Sequence, residues 1–240
     1  MLRPPDTSSI NCWIFDLDNS LYPPASGLFR QIDARMGAYI MQLLGVDADA
    51  ARRVQKGYFH EHGTTLAGLM AHHQIDPIYF LDFVHDIDLG VLSPDPGLRA
   101  ALSALPGKRH IFTNADHRYA ARVLAALHLD DLFDSIVDIE RTQLVPKPQQ
   151  PAYAILAGTI AGFDAARSLF ADDMSRNLAP AHAMGMQTLW IDNGSEAGSR
   201  DHDQAHVSHH INACGATHID ALADWLMRAG NSAKESRHGA

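Results

Sequence analysis

Short apolar runs alternate with helical patterns along most of this 240-residue chain, and one long helical stretch interrupts the alternation just after the first run. The runs Cys12–Phe15, Arg109–Thr113, Ser135–Ile139, Ser168–Ala171 and Gln187–Ile191 are brief and rich in Ile, Val, Leu, Phe or Trp, which predicts strands. Between them, Leu98–Leu105, His117–Leu127, Ala152–Ile160 and Asn177–Met184 carry apolar residues at helical intervals, with Asp116 and Ser175 as candidate N-caps. Strand and helix in strict alternation demand a parallel sheet covered by helices on both faces. Ligands in that architecture gather beyond the carboxyl ends of the strands.

The expected fold class is therefore α/β, a Rossmann-like parallel sheet core with an inserted α-helical cap domain. Residues 23–92 form the insertion, with helical patterns at Gly27–Leu44, Ala48–His60, Leu66–His73 and Pro77–Val84 and no convincing strand. Pro23–Pro24 and the segment Ser93-Pro94-Asp95-Pro96-Gly97 supply hinges, because proline restricts its own backbone and that of its neighbour. The core is then residues 1–22 and 93–240, and the insertion, which begins right after an acidic pair, is expected to act as a lid.

Composition narrows the function classes. The chain is 46% hydrophobic, ordinary for a globular protein, and its formal net charge of −9 argues against a nucleic acid polymer or an anionic membrane as partner. The opening residues 1–10 lack a charged-then-apolar leader and no apolar run is long enough to span a bilayer, so a cytoplasmic location is expected. Cys12 and Cys214 are the two cysteines, too few for a disulfide framework or a thiolate zinc site. Residues 195–217 are polar, with four histidines within His202–His210, and read as surface connections before a last helix, Asp220–Met227.

The first run ends in Asp16-Leu17-Asp18-Asn19-Ser20. Carboxylates two apart on an extended chain project to one side, so Asp16 and Asp18 converge where the strand ends. An ionised Asp16 can hold a hard cation and attack phosphorus, while a protonated Asp18 can give a proton to the departing oxygen. An Asp-rich turn would bring the same residues together for local hydrogen bonding alone. Three further signals fall at the same predicted sheet edge: Thr113-Asn114 after the second strand, Lys147 between Pro146 and Pro148, and Asp172-Asp173 after the fourth. Adjacent carboxylates repel unless a cation offsets them, which makes the last pair a candidate Mg2+ site shared with Asp16.

Taken in order, these four motifs resemble those of the haloacid dehalogenase superfamily, over a span from Trp13 to Ile191. The resemblance implies Asp16 as nucleophile and magnesium ligand, and Asp18 as acid/base with its carbonyl on the metal. It further implies phosphate binding by Thr113, Asn114 and Lys147, and magnesium ligation by Asp173, with Asp172 direct or through water. Ser20 departs from the usual threonine of the first motif, keeping the hydroxyl and losing a methyl. The implied activity is hydrolysis of a small phosphorylated metabolite.

Within the insertion, Tyr58–Leu69 and Val84-His85-Asp86, followed by Pro94-Asp95-Pro96 and Ile111–Ala115, resemble the pyrimidine 5′-nucleotidase branch. Tyr58, His60, Thr64, Thr65 and His85 are then candidates to face a ribose or base, although Thr64 or Thr65 would equally serve as a helix cap. A 2-haloacid dehalogenase needs neither Asp18 nor Asp172-Asp173, and a phosphomutase would return the phosphoryl group to a sugar. A phosphate-binding module without turnover would have no use for Asp16, Asp18 and Lys147 together.

Overall fold

Cys12–Phe15 forms strand β1, whose four side chains are all buried. The computed structural model describes residues 6–194, 205–214 and 218–238, with side chains of the last stretch described through 232. After β1 come four helices, α1 (Leu28–Leu44), α2 (Ala48–His62), α3 (Thr65–His73) and α4 (Pro77–Val84). The alternating part follows as α5 (Pro96–Ala104), β2 (Lys108–Phe112), α6 (His117–Ala126), β3 (Ser135–Val137), α7 (Gln150–Thr159), β4 (Ser168–Asp172), α8 (Ser175–Ala183), β5 (Gln187–Asp192), β6 (His209–Asn212) and α9 (His218–His238). Among the described residues, no helix is long and apolar enough to cross a membrane.

The sheet order is β3-β2-β1-β4-β5-β6, with every neighbouring pair parallel. Period-two alternation splits each strand between two apolar layers. Trp13, Phe15, Leu169, Ala171, Leu189 and Ile191 face one layer, which also holds Leu102, Val123 and Leu226 from α5, α6 and α9. Cys12, Ile14, Phe170 and Trp190 face the other, packed on Tyr153 and Leu156 of α7 and Leu178 of α8. The first layer continues without a break into the inserted helices through Leu28, Ile40, Leu69, Phe80 and Val84.

Helix starts follow local chemistry. Asp47, Thr64, Asp76, Asp95 and Asp116 each accept a backbone N–H in the first turn of α2 to α6 respectively, and Pro77 and Pro96 stand where a missing N–H costs least.

Three expectations change. Ser175 is the first residue of α8 and Met174 the cap position, with no side-chain cap hydrogen bond. The late polar stretch contains β6, an edge strand whose Ile211 is buried; residues 195–204 and 215–217, including His202, lie outside the described residues. Helix α9 runs beyond the expected Asp220–Met227 in both directions.

Candidate active site

Parallel pairing brings β1 and β4 to the same height. Phe15 is in register with Ala171, and the Asp16 N–H donates to the Ala171 carbonyl at 2.8 Å, so Asp16 stands beside Asp172. Lys147, on the loop between β3 and α7, enters between them. Its Nζ donates to Asp16 Oδ1 at 2.7 Å, Asp172 Oδ2 at 2.7 Å and the Phe112 carbonyl at 2.8 Å. All three donors of the ammonium are thereby used. The lysine side chain is 1% exposed, so its charge is held by partners rather than by water. Burial alone would lower its pKa, but Asp16 and Asp172 outweigh burial and raise it, keeping it protonated.

Asp172 is tied on both oxygens: Asn177 Nδ2 donates to each, at 3.0 and 3.1 Å, beside the Met174 N–H and the lysine. Burial raises its pKa, Lys147 opposes the rise and Asp16 adds to it. Asp173 accepts from Asn193 Nδ2 at 3.1 Å, and the same amide donates to the Asn19 carbonyl at 2.8 Å, joining the first and last motifs. Asn19 adopts φ 57°, a left-handed conformation that asparagine tolerates, and this turns the chain back after Asp18. Asp16, Asp172 and Asp173 present carboxylate oxygens within 4.8 Å of one another. Three carboxylates against one ammonium leave these four side chains negative on balance, and an all-oxygen set of this kind fits a hard divalent cation. Asp16, Asp172 and Asp173 are the side chains that would hold it.

Asp18 has a different setting two residues on. The Tyr22 and Tyr119 hydroxyls both donate to its Oδ1, at 2.6 and 2.7 Å. Burial raises the Asp18 pKa and the Asp16 charge adds to it, while the two hydroxyls and His85 pull it partly back. The two acids of the motif are thus held in unlike states: one against an ammonium, the other against neutral hydroxyls. Ser20, fully buried, donates to Asp16 Oδ2 at 3.1 Å, so the departure from threonine keeps the hydroxyl contact.

Thr113 is buried and its Oγ1 accepts the Ala115 N–H at 3.1 Å, which leaves its hydroxyl hydrogen for another acceptor. The Asn114 amide clasps the Lys147 backbone, accepting from its N–H at 2.8 Å and donating to its carbonyl at 3.2 Å. That clasp aims the lysine, and one amide hydrogen remains for a ligand.

The five insertion residues separate. Tyr58 donates or accepts at His73 Nε2 (2.6 Å) and stacks on His72, so it braces α2 against α3. Thr64 caps α3, Thr65 donates to the Gln55 carbonyl at 3.4 Å, and His60 is exposed against the edge of Phe59. His85 alone connects to the acid site, its ring stacked at 4.1 Å on Tyr119, the donor to Asp18, while its Nδ1 lies 2.5 Å from the α6 cap Asp116 Oδ2. On the other side, Arg176 of α8 donates to the Gly63 carbonyl at 3.2 Å and lies 4.3 Å over the Phe59 ring. Tyr22, Tyr119, Asn177, Asn193 and Arg176 were missed by sequence reasoning. Only Tyr22 carried a signal, standing four residues after Asp18 in the same turn.

The haloacid dehalogenase-like hydrolase profile matches residues 10–185. The chain is 30% identical over 191 residues to Phosphate metabolism protein 8 of Saccharomyces cerevisiae, a match covering 72% of this chain and 59% of that protein's length. A structure of YfnB from Bacillus subtilis bound to magnesium superposes with a TM-score of 0.57 at 15% identity, covering 90% of this chain and 98% of the other. The defluorinating L-2-haloacid dehalogenase Rha0230 superposes about as well, with a TM-score of 0.54 at 19% identity over 93% and 99% of the two chains. With the motif acids and the buried lysine assembled at the carboxyl edge of a parallel sheet, the chain belongs to the haloacid dehalogenase-like hydrolases.

Proposed function

We propose that this protein is a magnesium-dependent phosphomonoester hydrolase that works through an aspartyl-phosphate, with a nucleoside 5′-monophosphate of the UMP or CMP kind as its substrate. The observation that carries the reading is the pair of unlike acids. Asp16, held by Lys147 and Ser20, is positioned as a carboxylate nucleophile, and Asp18, with its raised pKa, as a proton donor. Magnesium, held by the Asp16, Asp172 and Asp173 cluster, would draw charge from the phosphoryl oxygens and screen their repulsion from the nucleophile.

An Asp16 oxygen attacks phosphorus and the bond to the leaving oxygen breaks, that oxygen taking the Asp18 proton. Asp18, now a carboxylate, takes a proton from water as the water oxygen attacks phosphorus; phosphate leaves and Asp16 is restored. Lys147 holds the nucleophile in place, and the Thr113 hydroxyl and the remaining Asn114 hydrogen are donors for phosphoryl oxygens. The nucleotide assignment rests on the resemblance of the 58–69 and 84–86 segments.

Dehalogenation is the second reading, because a dehalogenase shares the fold to a similar degree. Halide is a weak base that leaves without a proton, so that reaction gives the Tyr22-Tyr119-Asp18 arrangement nothing to do. The test is phosphate release from pyrimidine and purine nucleoside monophosphates, sugar phosphates and an aryl phosphate, with Mg2+ and with chelator, beside halide release from 2-chloropropionate. Mg2+-dependent turnover greatest on UMP or CMP is the expected result. Turnover on other phosphates alone removes the nucleotide assignment, and halide release without phosphate release overturns the reading.

A further inference from the structure

A second group of ligating side chains lies on the inserted helices, separate from the acid cluster. Tyr58 and His62 are four apart on α2, and Gly68 and His72 four apart on α3, so each pair occupies one helical stripe and the two stripes face each other. The helices cross closely because Gly68 has no side chain: a Cβ there would stand 2.3 Å from the Tyr58 Cβ. The crossing brings His62 Nε2 to 3.1 Å from His72 Nε2, and Glu61 Oε2 lies 3.8 Å from His62 Nε2. These three ligand atoms lie within 4.8 Å of one another.

The ring orientations are fixed from behind. Tyr58 stacks on His72 with centroids 5.2 Å apart and planes at 4°, and meets His62 edge-on at 5.9 Å. Two neutral imidazoles can share only one proton along such a line, and two charged ones repel. A single cation between them uses both lone pairs. At the usual Zn–N distance, two nitrogens of a tetrahedral site stand about 3.3 Å apart, close to the separation here.

We infer that Glu61, His62 and His72 form a binding site for a borderline transition-metal cation of the Zn2+ class, with two imidazoles, one carboxylate and a fourth position open to water. Imidazole donors disfavour Mg2+, so the site differs in selectivity from the oxygen-only cluster at Asp16, Asp172 and Asp173. Both histidines sit in the last turn of a helix, where the helix dipole favours positive charge. The bound ion would tie α2 to α3 immediately before Gly63, whose carbonyl is held by Arg176.

The test is titration of the metal-free full-length chain with Co2+ and Zn2+, in the wild type and in His62→Ala and His72→Phe. The second variant keeps an aromatic ring on Tyr58 while removing the ligand; an exposed histidine of α8, in His182→Ala, serves as the control. Expected in the wild type and the control is one Co2+ equivalent with the intense visible absorption of four-coordinate cobalt, displaced by Zn2+. Both ligand variants should lose that absorption and bind Zn2+ at the corresponding site roughly tenfold or more weakly. Unchanged absorption and affinity in both, or only the weak absorption of six-coordinate cobalt in the wild type, overturns the inference.

Discussion

The acids at the carboxyl edge of the sheet and the histidines of the inserted hairpin are both clusters of ligating groups, built in opposite ways. Lys147 and Asp172 are at most 1% exposed and all three N–H donors of the lysine head have partners, supplied by the ends of three strands distant from it in sequence. Glu61 and His72 are exposed, and their cluster comes from one helix-turn-helix segment. The difference teaches where each part of the molecule can vary. Within the sheet edge, one changed residue strands a buried charge. On the hairpin, a changed residue meets solvent, which leaves that segment free to adjust what it selects while the chemistry stays fixed.

The comparison breaks most easily at the nucleophile. Asp16→Asn keeps an oxygen for Lys147 and removes the attacking carboxylate, so turnover should fall by about 10⁴-fold or more with the fold retained; measurable turnover near the wild-type level would remove Asp16 from the chemistry. Asp18→Asn should lower turnover by about 10²–10⁴-fold, since general acid–base catalysis contributes that much, and metal titration should show the Mg2+ site kept. Lys147→Met is the structural counterpart. It leaves Asp16 and Asp172 buried beside each other without their cation, and urea unfolding should show a loss of about 3–5 kcal/mol. A small loss there would mean the edge is far less constrained than its burial indicates.

How much of this was legible in sequence follows the same division. Asp16, Lys147 and Asp172 could be placed together because each stands beside an apolar run or a proline pair, and parallel strands bring such ends to one edge. Tyr119 could not, because its bond to Asp18 joins residues 101 apart and nothing local announces it. Strand β6 was hidden by composition: of His209-His210-Ile211-Asn212 only Ile211 is buried, as an edge strand with one covered face permits. Ser175 read as a cap because serine before a helix commonly is one, yet the helix begins at Ser175 itself. Among the insertion candidates, Thr64 caps a helix and Tyr58 braces one, ordinary roles that residue type alone does not separate from ligand binding.

The hairpin gives a smaller and sharper test. Gly68→Ala improves helix propensity by about 1 kcal/mol, but the added Cβ would overlap Tyr58, and overpacking of that kind costs about 1–3 kcal/mol. The net expectation is a modest loss in urea stability, with KM altered more than kcat because the acids are untouched. A gain in stability would show that the α2–α3 crossing relaxes freely and that the hairpin is less defined than its stacked rings suggest.

The finest distinction lies where the two regions meet, at Tyr119, which donates to Asp18 and stacks on His85 from the end of α4. A hydroxyl bonded to a carboxylate favours the ionised form, so Tyr119→Phe should raise the Asp18 pKa further, while Tyr22, bonded to the same oxygen, limits the change. With Asp18 required as an acid in the first step, the alkaline limb of kcat/KM should move upward by about half to one pH unit. An alkaline limb that does not move would mean the proton comes from elsewhere.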